Sequence, residues 1–270
     1  MIEQEPPAYP SIPQSWGIFA VTLLCILLWL PLFFVLQRHL SMDWVFLIFY
    51  GLSMGSAWGT VHLMRRKRTR NRHYHFAPGH PLAIFLIILT TVFLLLGFTI
   101  PLTEILPMSD QINEAMMSLE SDRLWLNLLT FVLLAPVLEE LIFRGIMLDG
   151  LLRKTSPLKA ILLSSFLFAL VHLNPWQFIS AMVIGLFAGW VYYRTRNLLY
   201  PMLIHITNNA LPTLSGHYFS EQGMNEALEA SNGSFWVILL WLGLAGAGLW
   251  ALGGFFVRNG RGIEISWQEK

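Results

Sequence analysis

Long apolar runs, broken by short polar connections, dominate the chain. A membrane-crossing helix needs about 20 mostly apolar residues. Eight runs approach that length: 16–36, 44–64, 81–106, 124–152, 157–173, 176–193, 197–214 and 235–257. The fifth to seventh are short and the fourth is long. Short spans accompany tilting, or a cavity that brings water partway into the bilayer. Backbone amides in lipid must be satisfied within their own segment. The pattern therefore predicts an all-α fold, a polytopic transmembrane helical bundle of about eight spans. A single integral membrane domain, 1–270, accounts for the chain, and no internal repeat stands out. Residues 1–15 read as an N-terminal tail, disordered or interfacial, because Pro6, Pro7, Pro10 and Pro13 resist helix. The tail has no Lys or Arg and no small-residue cleavage site follows the first run, which argues against a cleavable signal peptide.

Composition agrees. Of 270 residues, 55% are hydrophobic and 12% charged, where a soluble domain has about 45–50% and about 25%. Mean hydropathy is +0.58. A net charge of +1 excludes a broad basic face for nucleic acid. The single cysteine, Cys25, excludes an intramolecular disulfide and a Cys-based zinc site.

The cations orient the spans. Arg65, Arg66, Lys67, Arg68, Arg70 and Arg72 crowd the second connection, which the positive-inside rule makes cytoplasmic. Eight spans then place both termini in the cytoplasm. Arg153, Lys154, Lys159, Arg194, Arg196, Arg258, Arg261 and Lys270 fall on the same side, and only Arg38 and Arg123 fall outside. The outer connections carry acids instead: Asp110, Glu114, Glu120, Glu221, Glu226 and Glu229.

Ionisable groups inside spans are costly and mark function by default. The fourth run holds Glu139, Glu140 and Arg144. Glu140 and Arg144 are spaced i,i+4 in the favourable order for a helical ion pair. Glu139, rotated by about 100°, cannot use the same partner equally well, and an unpaired carboxylate in an apolar span suits a general base. It lies about 21 Å from the cytoplasmic end, and His172, counted independently from Pro157, lies about 22 Å in. Phe168 precedes His172 by one turn. In the seventh run His205 and Asn209, again i,i+4, lie about 12 and 18 Å in. Three spans thus bring a Glu, two His and an Asn to compatible depths.

Two chemistries suit that set. A Glu and a His can activate water while a His and an Asn hydrogen-bond a developing oxyanion. Alternatively, Glu139, His172 and His205 could ligate a zinc ion with water in its open position. There is no HExxH.

The three motifs, Glu139-Glu140-x-x-x-Arg144, Phe168-x-x-x-His172 and His205-x-x-x-Asn209, resemble in order those of the CAAX protease and bacteriocin-processing (Abi) family, which includes the type II CAAX prenyl endopeptidases. The likeness covers roughly residues 124–214. Spacing to His205 favours Asn209 over its neighbour Asn208. The resemblance implies an intramembrane endopeptidase that uses no acyl-enzyme. In it Glu139 and His172 activate water, His205 and Asn209 stabilise the oxyanion, Glu140 and Arg144 organise the site, and Phe168 lines it. The family has been described both as glutamate proteases and as metalloproteases, so a divalent metal such as zinc stays open. The implied substrate is a membrane protein or peptide, and the short loops look like those of a bacterial inner-membrane protein. Nothing identifies a prenyl-binding groove or an oligomeric state.

Two other classes are weighed. A transporter predicts hydropathy repeated between halves, which is absent. A non-catalytic scaffold or bacteriocin-immunity protein predicts a broken motif, whereas all seven positions are intact. Elsewhere, His62 reads as packing, and His73, His75 and His80 as a solvated segment beside the membrane. The small residues Gly243, Gly246 and Gly248 read as intramolecular helix packing. Trp16, Trp44, Trp125, Trp176 and Trp236 read as interfacial anchors. Pro136 predicts a kink with a freed carbonyl, able to admit water beside Glu139.

Overall fold

The computed structural model describes residues 8–106, 123–218 and 235–259. These form eight helices: α1 (Ile12–Leu36), α2 (Met42–Thr69), α3 (81–104), α4 (Leu124–Leu151), α5 (Pro157–Leu170), α6 (Pro175–Thr195), α7 (Leu199–Tyr218) and α8 (Phe235–Asn259). No strand occurs among the described residues. Six helices are long and apolar enough to cross a membrane, which makes this an integral membrane protein. The other two carry motif residues, α5 being short and α7 interrupted by polar side chains. Helix α5 has 14 residues, and α7 carries His205, Asn208 and Asn209 within its 20.

Helix α4 is the centre of the bundle. Half of its most apolar window is buried, against 11% for α1 and for α8, whose leucines and aromatics face outward as lipid-facing surfaces do. Around α4 pack α2, α5 and α7, while α3 and α8 pair beside α6 and α7.

The cation-rich segments assemble at one end. Asp149, near the end of α4, accepts from Arg196 Nη1 at 2.7 Å, Tyr192 Oη at 3.1 Å and Arg153 Nη2 at 3.4 Å. The linker 70–80 is stitched to the same place. Its His75 carbonyl accepts from Leu198 N–H, its Ala77 exchanges two hydrogen bonds with Asn197, and Arg65 Nη1 reaches the Gly145 carbonyl at 3.1 Å. His75 Nε2 approaches Asp149 at 3.9 Å, and burial pushes this imidazole below its ordinary value by more than Asp149 raises it. His80 caps α3 and lies against Phe255 of α8. The opposite end joins Asp43 to Arg123 at 3.6 Å, Trp44 to Trp125 edge-on, and Trp176 to the Leu106 carbonyl. Connections expected on one side of the membrane therefore lie together. The acids Asp110, Glu114, Glu120, Glu221, Glu226 and Glu229 and the cations Arg261 and Lys270 fall outside the described residues.

Two expectations change, and a third gains a partner. The end of the N-terminal tail is packed, not loose: Tyr9 is 4% exposed, and helix begins at Ile12. Gly150 makes this possible, since a Cβ there would sit 2.0 Å from the Tyr9 carbonyl oxygen. Of the α8 glycines, Gly248 meets Thr90 of α3, whereas Gly243 and Gly246 meet nothing. His62 packs, but specifically, on Tyr74, with Nδ1 3.0 Å from its hydroxyl.

Candidate active site

Helix α4 is not uniform. Residues Leu128–Leu134 and Phe143–Leu148 are wound as π-helix, on either side of an α-helical stretch Ala135–Ile142 that carries both glutamates. Such insertions frequently mark functional sites. The first follows from Pro136. The Ala135 N–H reaches the Thr130 carbonyl, five residues back. Continuing that register, position 136 would donate to Phe131, but proline has no N–H. The stranded Phe131 carbonyl is taken by Asn209 Nδ2 of α7 at 2.9 Å. The carbonyl expected to be freed is thus used to fix a motif residue. Asn208 Nδ2 donates in turn to Asn209 Oδ1 at 3.1 Å, so both asparagines act in one chain.

One turn further, Glu140 and Arg144 are sealed off from solvent at 0% exposure, paired at 2.9 Å. The pair is extended at both ends. Glu140 Oε1 also lies 3.0 Å from His205 Nδ1, and the Arg144 guanidinium stacks 4.4 Å over the Phe168 ring. Gly185 leaves the room for it: a Cβ there would be 3.3 Å from Arg144 Nη2. A carboxylate acceptor requires hydrogen on His205 Nδ1 and fixes the ring's direction. Nε2 then faces Glu139 Oε2 at 3.7 Å. That gap is too long for a direct hydrogen bond and suits one bridging water.

Helix α5 ends at Leu170, so His172 stands in the turn beyond it and not on the helix face that spacing suggested. The cause is local. Asn174 precedes Pro175 and is held extended, and Leu173 reverses the chain with φ of 57°. His172 is anchored by its own side chain, with Nδ1 3.0 Å from the Phe168 carbonyl. A carbonyl only accepts, so Nδ1 carries the hydrogen and Nε2 is left as an acceptor. The Phe168 ring meets both imidazoles edge-on, at 5.3 Å from His172 and 5.4 Å from His205.

Glu139, Phe168, His172, His205 and Asn209 all line one cavity of about 330 Å³. Glu140 and Arg144 do not; they lie behind its wall. Glu139 is 6% exposed, and its Oε2 has no hydrogen-bond partner among the described residues. Its other oxygen, Oε1, accepts from the hydroxyl of Tyr50, on α2. Sequence reasoning missed Tyr50, as it did Gln177 and Ser180 of α6 on the same wall. Tyr50 belongs to none of the motifs, and its separation from Glu139 in the chain leaves no signal in spacing. The zinc alternative fits less well. Glu139 and His205 approach each other, but among the described residues no three His, Cys, Asp or Glu side chains are grouped to hold a metal ion.

The same segment is the one that known proteins share. Residues 121–211 match the family model described as type II CAAX prenyl endopeptidase Rce1-like. This segment is similar to the CAAX protease family. Similarity extends to a Bacillus subtilis (strain 168) protein named "Putative membrane peptidase YdiL", 32% identical over 77 residues. That alignment covers 28% of this chain and 32% of the relative, so the chain spans about a third of the length of the curated relative it matches. No solved structure matches the chain. Helices α1, α2, α3 and α8 lie outside the family match, including the helix that supplies Tyr50.

Proposed function

We propose that the protein is an intramembrane endopeptidase, hydrolysing a peptide bond of a membrane-associated protein or peptide in a bacterial inner membrane. The observation that carries this reading is the unpartnered Glu139 Oε2, facing His205 Nε2 at 3.7 Å on the wall of a cavity that His172 and Asn209 also line. Such a gap suits a water, and an acceptor with no other duty suits a base. Tyr50 occupies Oε1, which leaves Oε2 to meet the water.

In this mechanism Glu139 accepts a proton from the water, whose oxygen attacks the scissile carbonyl carbon. His172, with Nε2 free as an acceptor, aligns the water and shares in its deprotonation. The tetrahedral oxyanion receives hydrogen bonds from His205 Nε2 and from the Asn209 amide hydrogen not committed to Phe131. With Nδ1 held to Glu140, donation by Nε2 needs hydrogen on both ring nitrogens. The C–N bond then breaks, and the proton held by Glu139 passes to the leaving amine. Preorganised donors of this kind are each worth roughly 10²–10³ in rate.

The test compares protein and peptide termini, by mass spectrometry, in cells carrying the wild type or Glu139→Gln at equal expression. Termini found only with the wild type support the peptidase. Identical termini count for a scaffold of the same fold. Once a substrate is in hand, turnover should survive a strong chelator; loss restored by zinc would move the water onto a metal.

A further inference from the structure

The cavity lies in one half of the bundle. Measured along the helices from the cation-rich end, His205 stands about 12 Å in, Ile184 about 16 Å, Glu139 about 21 Å, Ser180 about 22 Å and Thr213 about 24 Å at 1.5 Å per residue; all five line the cavity. Against a hydrocarbon thickness of about 30 Å, the lining begins near mid-membrane and runs only away from the cations. Between the cavity and the cation-rich end the bundle is closed. Arg144, Phe143, Ile146, Met147 and Leu148 have no exposure, and the Asp149 cluster seals the end beyond them. Gln177, exposed at the start of α6, lies on the wall at the far end.

From this asymmetry we infer that the site is reached from the face opposite the cationic connections. The arginines concentrated at 65–72, with Arg153 and Arg196 at the same end, assign that end to the cytoplasm. The cavity therefore opens to the extracytoplasmic half. Resting on the peptidase reading, this names the substrate class: a peptide segment that emerges on the extracytoplasmic side of a membrane anchor. A cytoplasmic C-terminal tail would have to pass the closed Glu140–Arg144 layer to reach Glu139. The polar wall suits an exported segment, because Gln177, Ser180 and Asn208 can hydrogen-bond a peptide backbone, and Asn208 Oδ1 has no partner among the described residues.

Accessibility tests the geometry without any cleavage. In full-length Cys25→Ala protein, single cysteines at Ser180, Gln177 and Lys154 are treated with a membrane-impermeant maleimide, in intact spheroplasts and in inverted membrane vesicles. Ser180→Cys and Gln177→Cys should react at least tenfold faster in spheroplasts, and Lys154→Cys at least tenfold faster in inverted vesicles. Faster labelling of Ser180→Cys in inverted vesicles, or of Lys154→Cys in spheroplasts, would overturn the assignment. The substrate arm is read separately. Termini dependent on Glu139 should map to extracytoplasmic segments, and termini in cytoplasmic tails would overturn the substrate class.

Discussion

Helix α4 carries two acidic clusters that begin alike and end differently. In each, a carboxylate pairs with an arginine four residues later: Glu140 with Arg144, and Asp149 with Arg153. Around Asp149 the donors outnumber the acceptors. Arg196, Tyr192 and Arg153 engage both oxygens, and the cluster ties three connections together. Around Glu140 the buried groups are left unmatched. Arg144 pairs with Glu140 alone, and Glu139 Oε2, Glu140 Oε2 and Arg144 Nε and Nη2 lack hydrogen-bond partners among the described residues. A buried polar group left unsatisfied costs stability. A cluster that serves only as an anchor satisfies its atoms, whereas one that must receive a substrate or water leaves some open. The first cluster stabilises the fold, and the second is where stability is given up for chemistry.

Four changes would break or sharpen that contrast. The largest effect is expected from Glu139→Gln, which should lower turnover roughly 10²–10⁴-fold while leaving the melting temperature at or above that of the wild type. Near-normal turnover would remove Glu139 from the chemistry. Next, Arg144→Ala strands Glu140 in the core and should destabilise by about 3–5 kcal/mol, read as lower folded yield and melting temperature in detergent. Unchanged yield and melting temperature would mean that the pair organises nothing. Asp149→Asn weakens charge-assisted bonds and should cost about 2 kcal/mol, with turnover kept near normal. A loss of turnover without a loss of stability would overturn its role as an anchor. The smallest effect concerns His75. Because burial lowers its folded value below the usual one of about 6.5, the unfolded chain binds its proton more readily. Stability from this group is intact above about pH 6.5 and falls as the pH drops below it. Melting temperatures measured from pH 7.5 to 5 should show that loss in the wild type and less of it in His75→Gln.

The two clusters were not equally legible in the sequence. Glu140 and Arg144 are i,i+4 on one helix, and helix geometry alone brings them together. The depths of Glu139 and His172 also follow from counting residues at a constant rise, and both do line one cavity. His172 reaches it from a turn, however, because the Asn174-Pro175 step ends the helix early. Of the partners of Asp149, Arg153 is again i,i+4, but Tyr192 and Arg196 come from 43 and 47 residues away and could not be counted to.

What the sequence by itself determined is whatever depends on a local period or a running total. Apolar runs long enough for a bilayer, the shared side of the cationic connections and the order of the motifs are of that kind. Even the loss of a donor at Pro136 was readable, because it is covalent. Only the tertiary structure decided which group used the carbonyl so released, that Tyr50 meets Glu139, that Tyr9 seats itself against Gly150, and in which half of the bundle the cavity lies. Those are contacts between helices far apart in the chain. They depend on the rotation and offset of packed helices, which one-dimensional spacing does not encode.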